Sequence, residues 1–227
     1  MSGTTQTNSL AAGGNLLGVD VSHYNGVISW KTVAAAGISF AYAKATESAG
    51  VTDKKFAANW AGIKAAGLPR GAYHFFHPQN PVDAQAARFI AAVGALAPGD
   101  LPPMLDLEET SATTDEWDGV PLAQRVPLAL RWLQLVEQAL GRKPIVYTRR
   151  GFVLQKLGDA NALAAYPLWV AHYTSAPQPA LPPGWNAWTI WQYTGSGAIA
   201  GIAGQVDIDR FQGAQADLLA LAGLPHG

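Results

Sequence analysis

Two hydrophobic periods take turns along this chain, a short apolar run of strand length and then a 3.6-residue repeat. Leu16 to Val21 is apolar and closes on Asp20-Val21, which predicts a strand. Behind it Ser29 is a candidate cap for a helix in which Trp30, Val33 and Ala34 share a face before Gly37. Ile38 to Ala43 predicts the second strand. Asp53 then opens a helix with Phe56, Trp60 and Ile63 on one side, closed by Gly67 and Pro69. Gly71 to Phe76 predicts a third strand, and a helix from about Asp83 to Leu96 turns Phe89, Ile90 and Val93 inward. A fourth strand enters through the turn-like Pro102-Pro103 and carries Asp106 and Glu108.

The long pattern Leu122 to Leu140 places Leu130, Leu133, Val136 and Leu140 on a helix that stops at Gly141. Pro127 lies inside it, so a kink or a later start is expected. Pro144 to Thr148 predicts a fifth strand, followed by helical Phe152 to Leu157. Thereafter the alternation fails. Leu168 to His172, Trp188 to Tyr193 and Gln205 to Ile208 read as strands joined by loops rich in Pro and Gly, before a last helix from about Gln212 to Leu221.

Repeated strand–helix units predict a parallel sheet, closed or doubly wound. The acidic residues favour closure. Asp20, Asp106 and Glu108 fall at the C-terminal ends of predicted strands, with Asp207 near the end of the last one. In a barrel those ends converge on one mouth, whereas first and last strands of an open sheet stand apart. The expected fold is one irregular TIM-like α/β barrel, (β/α)5(β)3, over residues 16–222, with an extension at 1–15 and a tail at 223–227.

Composition narrows the function. In 227 residues, 49% are hydrophobic and 14% charged, so one sizeable core is available. A net charge of −1 offers no electrostatic case for nucleic acid or an anionic membrane as partner, and no apolar run is long enough to span a bilayer. Cysteine is absent, which removes disulfides and thiol chemistry. The five histidines show no metal-ligand spacing, so neither a metal nor another cofactor is expected. Met1 to Asn15 lacks the basic and apolar regions of a secretory leader. Export by another route, prior removal of a leader, or release on lysis would then be needed for work outside the cytoplasm.

On an ideal strand Asp106 and Glu108 point to one side and Leu105 and Leu107 to the other. Adjacent carboxyls raise each other's pKa, and one protonated acid beside one ionised acid is the equipment for glycosidic cleavage. A surface acidic cluster is the plain alternative. Strand rise would separate the two by about 6–7 Å, wider than the ~5–5.5 Å of a direct nucleophile. Aromatic strand positions can stack sugar rings: Tyr73, Tyr147 and Trp191 are expected at the mouth, with Gln192 as a hydrogen-bonding partner and Phe75 and Tyr173 nearby. Lys44 and Glu47 are expected to form an ion pair, His77 to lie in a loop, and Asp209 to pair with Arg210 at the surface.

Six motifs in order carry a resemblance: Gly18-Val19-Asp20-Val21-Ser22-His23-Tyr24-Asn25-Gly26 with Ile28 and Trp30, Phe40-Ala41-Tyr42-Ala43-Lys44-Ala45-Thr46-Glu47, Gly71-Ala72-Tyr73-His74-Phe75-Phe76, Asp106-Leu107-Glu108, Trp191-Gln192-Tyr193 and Val206-Asp207-Ile208-Asp209-Arg210-Phe211. Together they resemble the glycoside hydrolase family 25 lysozymes, N-acetylmuramidases of bacterial peptidoglycan. Ala43 is smaller than the residue expected before Lys44, and 1–15 has no counterpart. The resemblance implies a five-plus-three barrel and a catalytic mouth of Asp20, Asp106, Glu108 and Asp207. It also implies peptidoglycan glycan strands as partner, with Glu108 as general acid/base and Asp106 as nucleophile or stabiliser of an acetamido-assisted intermediate. Net retention is expected, with inversion open on the spacing alone; action is on the cell wall, and a monomer is the default.

Chitinase-like enzymes or glucosaminidases are the nearest alternatives, but Pro102 and Met104 stand where such barrels carry alternate acids. A non-catalytic glycan-binding barrel would usually lack one of the four acids. A phosphate-binding barrel would need a Gly-rich cradle after the late strands.

Overall fold

The computed structural model describes residues 16–224; the expected extension at 1–15 and most of the tail lie outside them. Nine strands are formed: β1 (Leu16–Val21), β2 (Phe40–Glu47), β3 (Val51–Thr52), β4 (Arg70–Phe75), β5 (Met104–Asp106), β6 (Ile145–Thr148), β7 (Leu168–Ala171), β8 (Ile190–Gly197) and β9 (Val206–Phe211). β3 is a short antiparallel addition to the end of β2. The remaining strands run β1-β9-β8-β7-β6-β5-β4-β2, and β2 returns to pair with β1, so the sheet closes.

Five helices follow the first five barrel strands: α1 (Trp30–Ala35), α2 (Phe56–Ala65), α3 (Val82–Val93), α4 (Leu122–Leu140) and the short α5 (Arg150–Phe152), extended by a wider turn over Val153–Leu157. No helix separates β8 from β9, which makes this the (β/α)5(β)3 barrel. α4 is one unbroken helix despite Pro127, beginning after Pro121 and closed by Gly141 in the left-handed region at φ 67°.

The last strand departs from expectation. β9 runs four residues past Asp207 and is antiparallel to both β8 and β1. Asp207 is therefore near its start, and the reversed direction brings that start to the mouth where the parallel strands end. Asp207 sits directly opposite Asp20.

Two apolar layers hold the barrel. Leu105, Val146, Val170, Phe89, Trp132 and Leu133 belong to the layer between sheet and helices. Inside, Phe40, Tyr42, Met104, Ile145, Trp169, Ile190 and Phe211 fill the lower half, with Leu218 of α6 (Gln215–Leu221) and Ala222 just after that helix packed against them as a floor. Two glycines create room for the rings. A Cβ on Gly18 would stand 2.2 Å from the Phe40 ring, and one on Gly71 would stand 2.1 Å from Tyr42. The interior is thus filled with aromatic carbon at the floor, which leaves polar groups to collect at the top.

Candidate active site

Alternation along each strand decides what reaches the mouth. On β1, Gly18 and Asp20 follow the same inward face, and on β9 the inward series is Phe211, Asp209 and Asp207. Asp106 is the last residue of β5, in register with Phe75 on β4 and Tyr147 on β6. Glu108 lies in the bend just beyond that strand, not on it. The bend is pinned on both sides: Leu107 N–H donates to the Tyr147 carbonyl at 2.9 Å, and the Trp117 indole donates to the Glu108 carbonyl at 2.9 Å.

The four acids meet electrostatically. Burial, then the charge of Asp207, pushes the Asp20 carboxyl well up, against the hydrogen bond it accepts from Gln192 Nε2 at 2.8 Å. Burial and then the charge of Glu108 push the Asp106 carboxyl up, with Lys44 opposing. Glu108 is lifted to about 7 by burial and then by Glu109, with Lys44 and Arg149 pulling the other way. Asp207 is raised by burial. Asp106 Oδ1 is buried and has no hydrogen-bond partner among the described residues. A pocket that disfavours four full charges holds protons on some of its acids at neutral pH.

Gln192 is the hub of the polar network. Its Oε1 accepts from Tyr147 OH at 2.9 Å and Tyr173 OH at 2.7 Å, while its Nε2 holds Asp20. Tyr73 feels all four acids, which together with burial raise its phenol. Phe75 is half-buried, with the Lys44 ammonium 4.6 Å above its ring. Tyr173 is 60% exposed at the rim. So Tyr73, Tyr147, Gln192, Phe75 and Tyr173 are brought to the acidic mouth.

Trp191 is not. It neighbours Gln192 and therefore faces outward, where it packs among the outer-layer residues, meets Trp188 edge-on and donates to the His172 carbonyl at 2.8 Å. Alternation forbids both residues from facing the mouth, and Gln192 takes the inward place. Arg210 lies over Trp191 and Tyr193 rather than against Asp209. Asp209 is fully buried in the barrel, accepting from Trp169 Nε1 at 3.1 Å. The expected surface pair is replaced by an interior acid, because the strand continues past Ile208.

Sequence reasoning undervalued Lys44. It is joined to Glu47 at 2.6 Å as expected, yet its charge also bears on Asp106 and Glu108. Its place two residues after inward Tyr42 was the available signal. Behind it, His77 lies in the loop after β4 as expected, where it bridges Glu47 at 3.2 Å and Glu116 at 2.8 Å. Among the described residues no group of three or more His, Cys, Asp or Glu is arranged to hold a metal ion.

Comparison with known proteins follows the same geometry. The model of glycosyl hydrolases family 25 matches residues 19–202. Lysozyme M1 of Streptomyces globisporus is 36% identical over 209 residues, covering 90% of this chain and 70% of that protein. The N,O-diacetylmuramidase of Chalaropsis sp. is 33% identical over 202 residues, covering 84% and 95%. Among solved structures, the bacterial lysozyme from Streptomyces coelicolor superposes with a TM-score of 0.87 at 36% identity, over 93% of this chain and 98% of that one.

Proposed function

The chain belongs to glycosyl hydrolases family 25 and is a glycoside hydrolase, and from that premise we propose that it is a muramidase. Its reaction is hydrolysis of the β-1,4 bond from N-acetylmuramic acid to N-acetylglucosamine in bacterial peptidoglycan. The substrate places its work outside the cytoplasm, on the cell wall. The observation that carries the reading is Glu108, lifted to about 7, beside Asp106 with one carboxylate oxygen unpartnered. The lysozyme and N,O-diacetylmuramidase relatives support the choice of substrate.

In this reading Glu108 delivers its proton to the leaving glycosidic oxygen as the bond to the anomeric carbon breaks. The carbonyl oxygen of the 2-acetamido group closes on the same carbon from the opposite face. Asp106 accepts the acetamido N–H through its open oxygen and balances the positive charge of the oxazolinium intermediate. Glu108, now ionised, takes a proton from the water that opens that ring, and the configuration is retained. Asp20, oriented by Gln192, and Asp207 bond sugar hydroxyls and help keep Glu108 protonated. Residues 16–222 form the catalytic barrel.

Mass spectrometry of purified peptidoglycan digested with the wild type and with Glu108→Gln tests this. New reducing-end N-acetylmuramic acid, lost at least about a thousandfold in the variant, is the expected result. Reducing-end N-acetylglucosamine would make the enzyme a glucosaminidase, and an equally active variant would remove Glu108 from the acid role.

A further inference from the structure

A second concave feature adjoins the mouth on the β6–β7 side. It is a cavity of about 380 Å³ whose lining includes Arg149, Arg150, Leu154, His172 and Tyr173, a volume typical of ligand sites. Tyr173 separates it from the acids, for its hydroxyl reaches Gln192 at 2.7 Å and Gln192 in turn holds Asp20.

Its polar groups are donors in fixed places. Arg149 Nη2 pairs with the Glu109 carboxylate, and its Nη1 lies over Gly151, where an added Cβ would come within 2.6 Å. Arg150 is exposed, and its Nη1 donates to the Leu181 carbonyl at 2.9 Å. That leaves the remainder of its guanidinium fork without another hydrogen bond to the described residues. His172 Nδ1 accepts the Ala180 N–H at 3.0 Å, so the proton of the neutral ring sits on Nε2. Two guanidinium groups against the single Glu109 carboxylate leave a net positive cavity, while Leu154 is 55% exposed and gives it an apolar wall. A fixed fork beside apolar surface suits a carboxylate on a short, partly apolar chain.

Resting on the muramidase reading, we propose that this cavity receives the anionic stem peptide carried on the lactyl group of muramic acid. A muramic acid ring bound at the acids projects its lactyl substituent across the rim, and the Tyr173 wall is where rim and cavity meet. The cavity then makes the enzyme prefer glycan that still bears its peptides.

The test compares intact peptidoglycan with strands of the same preparation stripped of peptides by an amidase, as the ratio of the two kcat/KM values. The wild type is expected to favour intact material by roughly tenfold, a preference expressed mainly in KM. Arg150→Glu should bring the ratio close to one, and Arg150→Lys should retain part of the preference. Gly151→Ala, which displaces the Arg149 guanidinium without changing any charge, should also lower it. A wild-type ratio of one, or an unchanged ratio in Arg150→Glu, overturns the cavity's role while leaving the muramidase reading intact. Wild type cleaving neither substrate removes that reading and this one with it.

Discussion

Glu108 has two pH consequences that can be measured separately. Activity needs its proton, so kcat/KM should fall above about pH 7. Stability responds to the same shift. Between its ordinary 4.5 and about 7, the unfolded chain releases this proton while the folded chain keeps it, so folding weakens as pH rises through that window. Glu108→Gln has no such loss. Its unfolding free energy should exceed the wild type's by roughly 2–3 kcal/mol at pH 8 and by little at pH 4.5. Denaturant melts at both values check this, and a gap independent of pH would contradict it. Lys44 acts in the opposite sense, since its charge favours the ionised forms of Asp106 and Glu108. Lys44→Met should displace both limbs of the kcat/KM profile to higher pH and reduce the rate at pH 5 by roughly tenfold. Unmoved limbs would mean that the ammonium does not govern these acids.

Helices and strands were legible where one period ran long enough. α4 occupies Leu122–Leu140 as its apolar face predicts, and Pro127 does not break it. Pro127 is exposed and leaves the Ala123 carbonyl without its helical donor. Pro127→Ala restores that bond but loosens the unfolded chain, and a net gain of about 1–2 kcal/mol is expected in denaturant melts. No gain would show that the early turns of α4 already satisfy that carbonyl otherwise. Short elements were harder. β5 ends at Asp106 because Glu108 is carried by a bend held through Trp117, a tertiary contact that no local pattern reports. The expected β9 stops at Ile208, three residues before the observed end at Phe211, since its extent depends on pairing with β1 and β8. That short end also misplaced Asp209, which lies inside the strand and not beyond it. Trp191 was misassigned for a different reason: adjacent Trp191 and Gln192 were both sent to the mouth, although a strand can offer only one of them.

At the scale of the molecule, closure is what joins the acids. Asp20 and Asp207 come from the first and last strands and face each other only because β9 fits between β1 and β8. A chain ending at Gln205 would lose that strand, half of the acid pair and the α6 floor together. It should show no cooperative thermal transition and should bind a hydrophobic dye, whereas a sharp melt would mean the sheet holds without closure. The antiparallel sense of β9 has one more effect. Leu16 is paired with Phe211, so the chain enters the barrel and leaves its last strand at the same pole, the one sealed by α6. Anything grafted at either of those points, whether a tether to a bead or an added binding module, would hang beneath the molecule like a handle. The cutting face would stay turned outward, so an enzyme immobilised by that pole should work on insoluble wall as freely as one in solution.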